Sequence, residues 1–491
     1  MNAEPRRRSR SRRRPSIVAR SRPITNSPRP ISTGSTATSP GPAGACSARR
    51  ARTVLARLLL AALFLPLGGA APTDSSAVPA IRASARPIAG AESDYSDILA
   101  AASGARRILL GESTHGSHEY YRERARLTER LILEEGADAV AIEGDWSATQ
   151  RVNLYVRGLG ADRTARQALG AYSNFPAWTW ANEEFRDFVE RLRAINMKRP
   201  PERRVGIYGM DVYDLFDAAK GVETYLKRNH PAAAERTARR YRCFERYRPD
   251  RWAYGIAARN PRNSCRAQAE AVLAEVRQLP RPADPAEAEA AFGAIRGAAS
   301  VAAAEDYFRT AAVGTLAWNV RDRHMAANVE EIAAHVEALA ARPARVIVWA
   351  HNSHVGDARA TSAANRGELN LGQLMRQRHG QAAFLVGFFS HTGSVFAAEE
   401  WDRPGRRNAM WPSLAGSWAA LFHAAGIPAL SLLLRGDRPL ASALAGSRKQ
   451  RAIGAVYLPH DERRAHYFDA RLSEQFDSIV YFDRTKAIAP L

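Results

Sequence analysis

Four short apolar runs in this sequence each end in a cluster of ionisable residues. Ile108-Leu109-Leu110 leads into Gly111-Glu112-Ser113-Thr114-His115-Gly116, and Ala139–Ile142 leads into Glu143-Gly144-Asp145. Residues 205–208 lead into Gly209-Met210-Asp211, and Val346–Trp349 into Ala350-His351-Asn352-Ser353-His354. Histidines beside carboxylates support general acid–base chemistry, because imidazole titrates near neutral pH and a carboxylate can orient it toward water. Attack of such a water on a carbonyl also needs a cation or donor for the developing oxyanion. A second histidine or an arginine serves that need, and Arg124 lies nine residues past His115 on the segment that follows. The same residue types allow other chemistry: His115, His351, His354 and a glutamate make a reasonable hydrolytic metal set. No G-x-S-x-G elbow occurs, and no cysteine stands beside the histidines, so neither a serine elbow nor a Cys–His nucleophile is supported. Each residue also has a purely structural reading: Glu112 and Glu143 as helix caps or ion partners, Arg124 as a solvated helix charge, Trp178 and Trp180 as core.

The elements that must position these residues read as α/β. Strands are expected at Arg107–Leu110, Ala139–Ile142, 205–208, Val346–Trp349, 384–388, 429–434, 455–458 and 479–482, from short runs rich in branched residues. The first of these are apolar throughout rather than alternating, which suits a mainly parallel sheet sandwiched by helices. A helix is expected over 120–135, with Leu127, Leu131 and Ile132 at helical spacing and Gly136 as its stop. Residues 215–342 lack strand signals and are rich in Ala, Glu and Arg, broken by prolines. They read as a long all-helical insertion over the carboxyl edge of the strands. In a parallel sheet all four ionisable clusters lie on that edge, the usual ligand site of open α/β sheets.

Length and charge bound the rest. The chain has 491 residues, 46% hydrophobic and 25% charged, with a net charge of +21. This is ordinary globular composition. Fourteen arginines and a single acidic residue in 1–57 supply +13 of that charge. The basic excess therefore belongs to a tail, and no nucleic-acid-binding module follows it. Residues 1–53, rich in Arg, Ser, Pro, Thr and Gly, cannot bury a core and read as disordered. The apolar run 54–67 and the small residues Gly68-Gly69-Ala70-Ala71 complete a secretory signal pattern, so 1–71 reads as basic tail plus signal peptide. The run is too short for a membrane-spanning helix. Export to a periplasmic or extracellular place is expected, with no stable membrane span after cleavage; an uncleaved anchor is the alternative. Cleavage would remove Cys46 and leave Cys243 and Cys265 to form one bridge or to remain unpaired thiols.

Several motifs then occur together. They are Gly-Glu-Ser-Thr-His-Gly-Ser-His-Glu at 111–119, Ala-Ile-Glu-Gly-Asp at 141–145, Asn153-Leu-Tyr-Val-Arg-Gly158 and Phe175-Pro-Ala-Trp178 with Glu183-Glu184. Tyr208-Gly-Met-Asp211, Arg321-Asp322 with Met325-Ala-Ala-Asn328, and Val348-Trp-Ala-His-Asn352 with His354 follow in order. Taken together, this set resembles the erythromycin esterase family over about 87–485, which makes 87–491 one erythromycin-esterase-like α/β domain carrying the insertion. The resemblance implies hydrolysis of a cyclic carboxylic ester, a macrolide-like lactone, by histidine-activated water with no metal or other cofactor. It also implies Glu112, His115, Arg124, Glu143, His351 and His354 as the functional set. His115 is expected to be the base, oriented by Glu112 or Glu143, with His351, His354 and Arg124 holding the carbonyl. Asp211, Arg321 and Asn352 are expected to bind substrate. The expected partner is a small-molecule ester or lactone. The rivals are a metal- or haem-binding envelope protein, or metal-dependent hydrolase, on the same fold, and an envelope-polymer binding module without turnover.

Overall fold

The computed structural model describes residues 77–491. The basic tail and signal pattern expected over 1–71 lie outside the described residues. In chain order the strands are β1 (Arg86–Pro87), β2 (Arg107–Leu110), β3 (Ala139–Ile142), β4 (Gly206–Gly209), β5 (Val346–Trp349), β6 (Ala383–Ala397), β7 (Arg406–Met410), β8 (Ala429–Leu433), β9 (Ser447–Arg451), β10 (Tyr467–Arg471) and β11 (Ser478–Thr485). Nine form one sheet in the order β1-β8-β11-β6-β2-β5-β3-β4, with β7 against β6; β9 and β10 make a separate antiparallel pair. From β11 to β4 every neighbour is parallel, while β1, β7 and β8 join antiparallel. The sheet is therefore mixed and mostly parallel.

The apolar strands are buried on both faces because each face has its own helical cover. Leu109, Ala141, Val346 and Val348 point to one face, where Met325, Val329 and Ile332 of the helix Gly314–Ala340 meet them. Ile108, Leu110, Val140 and Ile347 point to the other, against Leu127 and Leu131 of the helix His118–Leu133 and Phe188 of the helix Glu183–Met197. This is the period-2 alternation of a strand applied to a two-sided core.

Residues 215–342 are helical. Leu215–Asn229, Pro231–Glu245, Arg251–Ala258, Arg266–Gln278 and Pro285–Thr310 share their own core, including Val222, Leu226, Phe244, Val272 and Val301. Gly314–Ala340 belongs instead to the sheet, as the helix that returns the chain to β5. Pro231 and Pro285 open helices, where the missing N–H costs nothing. The Cys243 and Cys265 sulfurs are joined, with Cα atoms 6.0 Å apart, so the bridge ties the end of one helix of this segment to the start of another. Among the described residues no helix is long and apolar enough to cross a membrane.

Some expectations need correction. Residues 455–458 form no strand; Val456 makes only an isolated bridge to Ala398. β4 starts one residue later than expected. β6 extends well past 388, because beyond Phe389 it continues through Ser390, His391, Thr392 and Gly393, which carry no apolar pattern. The helix expected over 120–135 runs two residues earlier at both ends, His118–Leu133.

Candidate active site

The strand register places the four ionisable clusters side by side. Leu110 of β2 pairs with Trp349 of β5, Trp349 with Ile142 of β3, and Ile142 with Gly209 of β4. The strands thus end at one level, and the residues that follow them enclose a cavity of about 260 Å³. His115, Glu143, Asp211, Arg321, His351 and His354 line it, together with the aromatic side chains of Tyr172, Phe175, Trp180, Tyr213, Trp318 and Trp401.

His115 is held from behind. Its Nδ1 lies 2.8 Å from Glu112 Oε1, and Glu112 Oε2 accepts from Arg124 Nη2 at 2.9 Å. Arg124 is fully buried, its guanidinium 4.6 Å from the Tyr121 ring and 4.8 Å from that of Trp349. An arginine-bound carboxylate accepts the Nδ1 proton, so the free lone pair of His115 is on Nε2. The loop is fixed by the His115 N–H, which donates to Ile453 O at 3.1 Å. Arg124 does not line the cavity. The expectation that it holds a carbonyl is corrected: it holds Glu112.

Glu143 joins the histidines. Its Oε2 accepts the His351 backbone N–H at 2.8 Å. Its Oε1 accepts Arg321 Nη2 at 2.6 Å and lies 3.4 Å from His354 Nε2 and 3.9 Å from His115 Nε2. Burial alone would raise this carboxyl, but His354, Arg321 and His115 outweigh it and hold Glu143 well below the usual carboxylate range. Arg321 also grips Asp211, Nε to Oδ1 at 2.8 Å and Nη2 to Oδ2 at 2.7 Å.

His354 is a second carboxylate-bound imidazole. Its Nδ1 lies 3.0 Å from both oxygens of Asp322, and its ring stacks on Trp318 at 4.5 Å. A neutral ring would accept from Arg321 Nη1 at 3.0 Å; a protonated one donates to Glu143. Burial lowers its pKa, but Asp322 and Glu143 together overcome both burial and Arg321 and raise it to about 9. The charged form is therefore the resting one.

His351 is the opposite case. It caps the short helix Asn352–Val355, its Nδ1 accepting the Ser353 backbone N–H at 3.2 Å. Its proton is then on Nε2, which is buried and has no hydrogen-bond partner. Burial first, then the neighbouring His115 and His354, lower its pKa to about 3, so the ring is neutral. It meets the His115 ring edge-on at 5.1 Å.

Asn352, expected to bind substrate, does not reach the cavity. Its side chain spans Phe388, donating to the carbonyl at 2.8 Å and accepting the N–H at 3.3 Å, and it passes against Gly111, where any Cβ would collide with it. It pins the ends of β2 and β5 to the interior of β6. Sequence reasoning gave no role to Trp318, Tyr213, Asp145 or Asp322, although Asp145 stands in one of the four strand-end clusters and Asp322 in the Arg321-Asp322 motif. Arg321 and Asp322 stand three and four residues past Trp318, so helical spacing from Trp318 could have grouped them. The alternative metal set fares poorly on charge: the Arg321 guanidinium stands 3.0 Å from His354 Nε2, where a ligated cation would be repelled. Among the described residues no group of three or more His, Cys, Asp or Glu side chains is placed to hold a metal ion.

A sequence model of the erythromycin esterase family matches residues 132–485. The chain belongs to the erythromycin esterase family. Ester hydrolysis is the activity at the level of that family. The match begins after Glu112, His115 and Arg124, whose place in the site rests on the geometry above. Two solved structures superpose with a TM-score of 0.70 each: one described as a succinoglycan biosynthesis protein, 18% identical, and a Bacillus cereus protein, 16% identical. Each comparison covers 85% of this chain and 98% of the other. A mutant of an erythromycin esterase in its open conformation superposes with a TM-score of 0.56 at 14% identity, over 80% of this chain and 93% of its own. These three share the α/β fold with its large helical region.

Proposed function

We propose that this member of the erythromycin esterase family is an exported hydrolase of carboxylic esters, lactones included, that activates water with His115 and uses neither a covalent nucleophile nor a metal. The observation that carries it is the Arg124–Glu112–His115 relay, which leaves a basic Nε2 at the cavity wall. A water that donates one hydrogen to Nε2 and the other to the ionised Glu143 presents its lone pair to a carbonyl carbon. His115 takes the proton as the new C–O bond forms, and Glu112 stabilises the imidazolium. The unpartnered Nε2–H of His351 and the cationic His354–Arg321 pair suit the oxyanion. When the tetrahedral intermediate collapses, the ester C–O bond breaks, and the His115 imidazolium returns its proton to the departing alkoxide. The products are an acid and an alcohol, joined in one chain when the substrate is a lactone.

One observation favours a second reading. Ser353 Oγ lies 2.8 Å from His351 Nδ1, the contact a serine nucleophile would need. Against it, His351 is a weak base and has no carboxylate on its other nitrogen. Intact-protein mass spectrometry during turnover of an activated ester separates the two. Water attack predicts no acyl adduct and an active Ser353→Ala variant; an adduct on Ser353 would establish the serine route.

A further inference from the structure

The net charge of the folded region sits in one stretch of the helical segment. Residues 220–281 hold fifteen basic and six acidic residues. The rest of 77–491 holds 42 of each, so that stretch carries the whole excess of nine positive charges. Its helices bury one face and turn arginines outward. In the helix Pro231–Glu245, Ala233, Ala234, Thr237, Tyr241 and Phe244 face the core. Arg239, Arg242 and Arg246, at spacings of four and three that keep them opposite that core, are exposed. Arg259 and Arg262 are exposed as well. Three links gather these side chains on one surface. The Cys243–Cys265 bridge joins the end of Pro231–Glu245 to the turn that holds Arg262. Arg246 Nη2 donates to Asn263 Oδ1 in that turn at 3.2 Å. Asn263 Nδ2 donates to Ala257 O at 3.3 Å, which ties the helix Arg251–Ala258, with Arg259 at its end, to the same turn.

Neighbouring carboxylates leave this surface charged. Arg236 and Arg240 pair with Glu275, and Arg266 pairs with Glu270. Among the described residues no carboxylate pairs with Arg239, Arg242, Arg259 or Arg262. Ile256 stands 65% exposed three residues before Arg259, on the same side of the chain's helical turn. Guanidinium groups grip phosphate oxygens in a fork, and basic side chains are drawn to the negative potential of anionic lipid. A soluble acidic polymer would match the charges but offer nothing to Ile256; a bilayer offers headgroup phosphates and an apolar boundary together. We propose that Arg239, Arg242, Arg246, Arg259 and Arg262, with Ile256, form a docking surface for a bilayer that contains anionic phospholipid. The helix Arg251–Ala258 begins at the cavity: Arg251 Nη1 donates to Asn174 Oδ1 at 3.0 Å and Trp252 packs on Trp401 at 6.3 Å, and Asn174 and Trp401 both line it. Ile256 lies five residues on from Arg251, about 8 Å along a helix axis, so docking holds the cavity close to the lipid surface.

Co-sedimentation with vesicles tests this. The chain is used from Ala71, which keeps every core described above and lacks the arginine-rich sequence of 1–57, itself attractive to anionic lipid. Vesicles of equal parts phosphatidylglycerol and phosphatidylcholine should bind it about tenfold or more tightly than phosphatidylcholine alone, and added salt should weaken that binding. Arg239→Gln with Arg242→Gln and Arg262→Gln should weaken it about a hundredfold. Removing three exposed charges elsewhere, by Arg106→Gln with Lys198→Gln and Arg463→Gln, should weaken it by no more than about threefold. Ile256→Ser should cost about tenfold. All these side chains are exposed, and an unchanged melting temperature verifies that each variant is folded. No preference for anionic vesicles, or equal losses in the two triple variants, would overturn the surface. An indifferent Ile256→Ser, with binding to dextran sulfate as tight as to vesicles, would assign the face to acidic polymers and overturn the bilayer. Hydrolysis is not read, so the result is independent of the catalytic proposal.

Discussion

His115, His351 and His354 share one cavity wall but stand in different electrostatic settings. Glu112 with Arg124 behind it orients the first, the second is kept neutral chiefly by burial and bonds no carboxylate, and Asp322 with Glu143 charges the third. Each setting has a measurable consequence. For His354, raised to about 9, the stabilising contribution is full below the unfolded value of about 6.5 and is lost as pH rises toward 9. For His351, lowered to about 3, the unfolded chain takes up the proton first, so stability is lost as pH falls from about 6.5 toward 3. Thermal melts across this range should therefore show His354→Gln flattening the slope between pH 7 and 9 without changing the acid side; an unaltered alkaline slope would count against the charged ring. Arg124 acts through Glu112. Arg124→Lys keeps the charge but loses the planar contact between Tyr121 and Trp349, so kcat should fall by up to about a hundredfold with KM unchanged. A rise in KM alone would instead place Arg124 against substrate.

The elements that carry these residues were legible to different degrees. β2, β3 and β5 could be read because both faces of each are covered, which forces unbroken apolar runs such as Val346–Trp349. β7, β9 and β10 could not: Ser-Arg-Lys-Gln-Arg over Ser447–Arg451, for example, is polar throughout, even at the buried Gln450 and Arg451, and so shows no apolar pattern. The site followed the same division. Glu112, His115, Glu143, Asp211, His351 and His354 were visible because they directly follow strands of a parallel sheet. Asp322 and Trp318 were hidden because they belong to the helix Gly314–Ala340, and only its packing on the sheet brings Trp318 to the cavity and Asp322 to His354. Asn352, expected to bind substrate, instead turns its amide toward β6. In the helical segment, the Cys243–Cys265 bridge closes a separation of 22 residues away from the strand ends. Chain entropy makes such a link worth about 3 kcal/mol. Reduction should lower the melting temperature while leaving kcat of the still-folded protein unchanged; equal loss of both would tie this segment to catalysis.

At the scale of the whole molecule, a two-sided α/β core carries a helical segment with its own core, and the basic and then apolar sequence of 1–71, expected to be a leader, precedes them in the chain. If the leader acts as a signal, protein recovered outside the cytoplasm begins near Ala71 and its two remaining cysteines resist alkylation without reduction. An intact N-terminus in the cytosolic fraction would contradict export. The central claim is that His115 activates water for ester hydrolysis without a metal, and one measurement reaches it most directly. The mature domain, wild type and His115→Ala, is incubated with a panel of macrolides, simpler lactones and linear esters, with and without EDTA, and the products are read by mass spectrometry. The account predicts that at least one lactone gains the mass of one water with wild type, equally in EDTA, and that His115→Ala slows this by roughly 10²–10⁴-fold while melting at the same temperature. No gain of water on any substrate, loss of activity in EDTA restored by Zn²⁺ or Mn²⁺, or near-normal turnover by His115→Ala would contradict it.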